Sequence, residues 1–164
     1  MGGGRQPIER AVGLPIVLEN AASAAPAPAA LELAKLVHGG KLGKLLSASA
    51  TIRWWRSPEY FAQPGRGTLA RDGGGVLLTQ AIHTLDLLLH LVGPVQEVMA
   101  YVDTSPLRAI DTEDIVAGSV RYANGATGVI DATTVTFPGY PERIEIAGTA
   151  GSAVLEVETL TVNY

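Results

Sequence analysis

The chain has 164 residues, 47% of them hydrophobic and 17% charged, with a formal net charge of −4; that suffices for one packed core and argues against a surface that tracks nucleic-acid phosphates. It contains no cysteine, which excludes a disulfide framework, a thiolate metal site and a cysteine nucleophile and fits a cytoplasmic protein. The early apolar run over residues 11–18 is broken by Pro15 and closed by Glu19; it is too short to span a bilayer, and neither a membrane anchor nor a secretory leader is expected.

Residues 1–28 read as an arm or linker. They open on three glycines and close on a small, proline-broken stretch. The domain proper is expected over 29–164. A first helix is predicted over 29–38, with Leu33, Leu36 and Val37 on its apolar face and Gly39-Gly40 as its stop. Lys44 to Trp55 alternates as a strand does. Leu46, Ala48, Ala50, Ile52 and Trp54 form one face, and Ser47, Ser49, Thr51 and Arg53 lie on the other. Residues 56–74 form a long irregular connection carrying Arg56, Tyr60, Arg66 and Arg71, and connections of that length are often functional. One helix is predicted over 75–92, started after Gly73-Gly74-Gly75 and stopped by Gly93-Pro94. Strands follow over 95–102, 114–122, 126–136, 143–148 and 153–162, with a hairpin at Asn124-Gly125. This order predicts an α+β domain: a mostly antiparallel open sheet with helices on one face. The other face is too poor in charge for solvent, since strand 126–136 carries only Asp131. It is expected to meet a second copy in a homodimer, although β-propensity alone also favours threonine on strands.

The helix over 75–92 carries the chemistry. At about 100° per residue, Thr79, His83, Asp86 and His90 fall within about 60° of one another. Polar groups on so apolar a helix need partners. Histidine as a residue type suits general acid–base work, which makes His83 the candidate. Asp86 can orient its imidazole and Thr79 can hold a substrate hydroxyl; a purely structural His–Asp pair is the alternative. No metal is expected, because His90 lies about 10 Å along the axis from His83. Gly73-Gly74-Gly75 lacks the preceding strand and glycine spacing of a dinucleotide loop, and Gly39 to Lys44 is too short in spacing for a P-loop, with Leu45 in place of its Ser or Thr. The triplet is expected to let the backbone turn tightly under a ligand or a neighbouring loop. Arg53 and Arg66 can each fork a carboxylate or sugar hydroxyls, a solvated surface position being the default for both.

Four stretches carry a family resemblance: residues 43–56, Gly65-Arg66-Gly67-Thr68, the run from Gly73 through His83 to Asp86, and residues 141–151. Together they resemble the C-terminal domain of the Gfo/Idh/MocA family of NAD(P)-dependent oxidoreductases, over residues 29–164. The resemblance implies the dihydrodipicolinate-reductase-like fold and a sugar, cyclitol or related small molecule as substrate. It implies hydride transfer to NAD or NADP held by a Rossmann domain, and a histidine, here His83, that faces substrate and takes part in proton transfer. The position four before it is commonly Asp or Asn in the family; here it is Thr79, which hydrogen-bonds but holds no charge. The family's Glu-Lys-Pro lysine has no counterpart, since the first lysine is Lys35. The expectation is a substrate-binding and oligomerisation domain, inactive and free of cofactor alone, that works with a Rossmann partner. Thr79, Arg53, Arg66 and Asp86 would then be its substrate-side residues. A non-catalytic dimerisation module and a small-molecule-binding module are the alternatives.

Overall fold

The computed structural model describes residues 27–164, so the expected arm falls almost wholly outside the described residues. The elements are α1 (Pro28–His38), β1 (Leu45–Arg53), α2 (Pro58–Phe61), α3 (Leu69–Asp72), α4 (Val76–Thr79), α5 (Ile82–Val92), β2 (Val95–Asp103), β3 (Ile115–Tyr122), β4 (Thr127–Thr133), β5 (Arg143–Gly148), β6 (Ser152–Glu156) and β7 (Thr159–Asn163). The strands form one seven-stranded sheet in the order β2-β3-β4-β1-β5-β6-β7. Only β1 and β4 run parallel, and each other pairing is antiparallel. The domain is therefore α+β, and no Rossmann unit occurs among the described residues.

Period-2 patterning decides which sheet face is buried. Ala48, Ala50 and Ile52 of β1 are fully buried, in register with Ile146, Ile144 and Ala132 of the flanking strands. The two alanines let α5 lie close on the sheet, where Leu88 and Leu91 complete the core, and α1 adds Leu33. Each such leucine contributes roughly 1.5–3 kcal/mol by leaving water. Tyr122 crosses this layer, its hydroxyl donating to the Ala48 carbonyl at 3.0 Å. Burial pushes that phenol up to about 12.

Three expectations on the elements are corrected. The single helix over 75–92 is broken at Gln80-Ala81 into α4 and α5, and the segments on either side of the break meet at 48°. Gln80, at the break, turns its polar side chain into the domain to meet partners there. The irregular connection over 56–74 contains the short helices α2 and α3. The last strand is a hairpin, β6–β7, turned at Val157 with φ 53°. A β-branched residue is a rare choice there, so the turn carries no glycine or asparagine signal. Among the described residues no single helix is long and apolar enough to cross a membrane.

No helix among the described residues covers the second sheet face, and that face is divided. Toward β2 it presents Met99, Tyr101 and Val129, with Tyr101 81% and Met99 78% exposed. Toward β5 it turns charged, with Arg53 paired to Asp131 and Arg143 to Glu145. Tyr101, Ala117, Asp131, Thr51 and Arg143 form one row across this face.

Candidate active site

The α4–α5 break is surrounded by two loops, residues 54–75 and 104–114. The second is built around a buried ion pair. Arg108 Nη1 donates to Asp114 Oδ2 at 2.8 Å, with the two side chains 3% and 2% exposed. The remaining Asp114 lone pairs accept from the Ser105 amide and hydroxyl, each at 2.7 Å. Arg108 Nη2 donates to the Thr134 carbonyl at 2.8 Å and to the Arg56 carbonyl. Its guanidinium also lies 4.6 Å from the Phe61 ring centroid and 5.4 Å from that of Trp55. One buried cation thus ties the end of β4 to the segment after β1. A buried charge this well paired and hydrogen-bonded is one that a fold can retain.

Glu113, beside Asp114, explains the glycine triplet. Its carboxylate accepts from the Gly75 amide at 2.9 Å and the Leu77 amide at 3.3 Å, while its carbonyl accepts from Val76 at 2.8 Å. A Cβ at Gly75 would fall 1.9 Å from that carbonyl oxygen. The triplet therefore turns under a neighbouring loop, one of the two alternatives open from sequence. The start of α4, which looks like a phosphate cradle, is filled by a carboxylate. A nucleotide diphosphate does not fit there, since a second anion would face Glu113 across the same donors.

The expected site residues divide. Thr79 and Arg66 line one small cavity with Tyr60, Gln80 and Thr134. Its volume of about 10 Å³ admits a single water, so a sugar ring has to bind outside it. Thr79 also donates back to the Gly75 carbonyl at 2.8 Å, leaving its hydroxyl oxygen as an acceptor. His83, in the first turn of α5, is exposed and Asp86 half-buried. Neither side chain has a hydrogen-bond partner among the described residues, so the expected His83–Asp86 bond is not made here. Thr84 beside them donates to Glu142 at 2.6 Å. His90 stands away from this group, its carbonyl accepting from His38 and its ring edge-on to that of His38 at 5.2 Å. No group of three or more metal-ligand side chains occurs among the described residues. Arg53 is not brought to the stripe. It ends β1 on the uncovered face, where it pairs with Asp131, and α5 packs on the other side.

The residues that link these parts are Gln80, Arg56 and Tyr60, none of them among the expected site residues. Gln80 is buried, accepting from Arg56 Nε and donating to the Tyr60 hydroxyl, each at 2.8 Å. Tyr60 also accepts from Arg66 Nη1 at 3.0 Å. The clustering of aromatic and arginine residues over 54–66 was the available signal. His83 stands exposed three residues beyond Gln80.

Comparison with known proteins identifies the family of this fold. The model of the GFO/IDH/MocA C-terminal domain matches residues 30–154. Levoglucosan dehydrogenase of Pseudarthrobacter phenanthrenivorans is 27% identical over 80% of this chain and 40% of its own length. Myo-inositol 2-dehydrogenase of Thermotoga maritima is 38% identical over 49% of this chain and 25% of its own length. The WlbA dehydrogenase of Bordetella pertussis, solved with NADH and UDP-GlcNAcA, superimposes with a TM-score of 0.77 and 33% identity over 83% of this chain and 44% of that one. The chain thus spans about two-fifths of the length of the levoglucosan dehydrogenase and WlbA chains. It belongs to the Gfo/Idh/MocA family, as a C-terminal domain of that family.

Proposed function

We propose that this chain is the substrate-binding and oligomerisation domain of an NAD(P)-dependent dehydrogenase acting on a hydroxyl of a sugar, cyclitol or related small molecule. The observation that carries the reading is His83, exposed and without a partner on a family-matched domain, next to a network that fixes the surrounding side chains. His83 gives or takes the proton of the substrate hydroxyl. Thr79 accepts from a second hydroxyl, Arg66 holds Tyr60 in place at the rim, and Asp86 turns toward the imidazole once substrate is present. Arg53 we assign to the uncovered sheet face rather than to substrate. We assign the nicotinamide nucleotide to a Rossmann domain working with this one, in the cytoplasm.

The uncovered face serves the second half of the proposal. Met99, Tyr101 and Val129 form an apolar patch on it, and a second copy of the chain covers this patch in a homodimer.

The test supplies a family Rossmann domain, fused or in trans, and follows NAD(P) reduction with myo-inositol and levoglucosan. Activity that falls at least about a hundredfold in His83→Ala supports the reading. Activity unchanged in that variant overturns it. A chain that dimerises and never supports turnover with any such partner is an assembly module instead.

A further inference from the structure

Seven arginines lie among the described residues, and five of them, Arg53, Arg71, Arg108, Arg121 and Arg143, are paired to carboxylates. The other two are Arg56 and Arg66. Both sit over the same ring, with the Arg56 guanidinium carbon 5.2 Å and that of Arg66 4.5 Å from the Tyr60 centroid. Two cations beside one ring with no carboxylate between them repel, and a bound anion relieves that repulsion.

Arg56 is the more fully held of the two. Its amide donates to the Thr134 carbonyl at 2.9 Å, and its own carbonyl accepts from the buried Arg108. Its Nε donates to Gln80, which is itself buried and held by Tyr60. Its guanidinium carbon also lies 4.8 Å from the Trp54 ring centroid, so two aromatic rings fix its plane. Backbone, Nε and ring plane are thereby all set before any ligand arrives. A guanidinium has five N–H donors, and one is used here. The four on Nη1 and Nη2 have no partner among the described residues and are not buried. What remains is a planar fork, held rigid and open to solvent, on a guanidinium bonded to Gln80, the residue three before His83 in sequence.

The geometry points to Arg56 as the recognition residue for an oxyanion on the substrate, which makes the substrate an acidic sugar whose carboxylate is held by Nη1 and Nη2 of Arg56. The inference rests on the sugar-dehydrogenase reading above and narrows its substrate class. A guanidinium fork matches two carboxylate oxygens at once, and such bidentate pairs are among the stronger hydrogen bonds available. A neutral cyclitol leaves those donors in water and gains nothing from the preorganised stack. Arg66, with Nη1 and Nη2 already on Tyr60 and Gln63, adds positive potential rather than a second fork.

The experiment titrates the isotope-labelled 164-residue chain with D-glucuronate, D-glucose 6-phosphate and D-glucose at matched ionic strength. It follows the arginine side-chain and histidine ring signals by NMR. The expected result is saturable binding of glucuronate that moves the Arg56 signal and is at least about tenfold tighter than that of glucose. Arg56→Gln brings glucuronate down to the glucose level, Arg56→Lys loses most of the difference because it keeps charge without the fork, and Arg121→Gln changes nothing. A preference for glucose 6-phosphate that is equally lost in Arg56→Gln keeps the oxyanion assignment and overturns the carboxylate. Glucuronate and glucose bound alike, or full glucuronate affinity in folded Arg56→Gln, overturns the inference and leaves the sugar reading standing. No response of His83 to any of the three overturns both.

Discussion

Replacing Arg108 by methionine keeps a long apolar stem between Trp55 and Phe61 and removes the charge. Asp114, 2% exposed, then keeps only the two Ser105 donors. The carbonyls of Thr134 and Arg56 lose the donor they shared. Breaking a buried ion pair from one side costs about 3–5 kcal/mol, because the surviving charge stays buried. For a chain of this size that lowers the melting temperature by about 10 °C or more. The double variant Arg108→Met with Asp114→Leu removes the stranded charge and should recover most of the loss. Urea denaturation followed by tryptophan fluorescence measures both variants, and the coupling energy between the sites follows from the cycle. A single variant that loses less than about 1 kcal/mol would refute the claim that this pair holds the two loops together. So would a double variant no more stable than the single one.

Other expectations follow from the same contacts. Gly75→Ala should cost more than about 3 kcal/mol or abolish soluble expression, since its Cβ would fall 1.9 Å from the Glu113 carbonyl oxygen; thermal denaturation checks this. Glu113→Gln should keep most of the cap on α4, and Glu113→Ala should lose about 1–2 kcal/mol by the same assay. Tyr122→Phe should cost about 1–2 kcal/mol at neutral pH by leaving the Ala48 carbonyl without its donor. The Tyr122 phenol is raised in the folded state from 10.0 to about 12. Its contribution is therefore complete below pH 10 and is lost as pH rises toward 12. Stability measured across that window should fall in the parent and fall less in Tyr122→Phe. Met99→Glu with Tyr101→Glu should shift sedimentation toward the monomer, because both side chains stand exposed on the uncovered face.

The strand pattern was legible because period-2 alternation and turn residues coincide. Asn124-Gly125 turns β3 into β4, and Arg143–Gly148 is a strand over the predicted bounds. The hairpin at Val157 was not legible, since a valine with φ 53° gives no turn signal. The break at Gln80 was hidden for a related reason. Composition reads 75–92 as one apolar helix, whereas Gln80 finds its partners, Arg56 and Tyr60, far away in sequence. At the site, His83 and Thr79 were singled out by spacing and by family resemblance. Arg53 was singled out by residue type alone, and strand parity puts it on the opposite sheet face. Arg108 and Glu113 sit in a loop without motif or periodicity, so only the fold shows that one locks the loops and the other fills the glycine turn.

The chain has three histidines, so its imidazole region holds three ring systems to assign. Titration of the 164-residue chain with glucuronate, levoglucosan and myo-inositol, followed in that region, tests most directly whether the start of α5 faces substrate. A saturable shift of His83 with at least one of these ligands is the predicted result, with His38 and His90 unmoved because they meet each other at the far end of α5. Saturable binding that moves His38 or His90 and leaves His83 still would contradict the account.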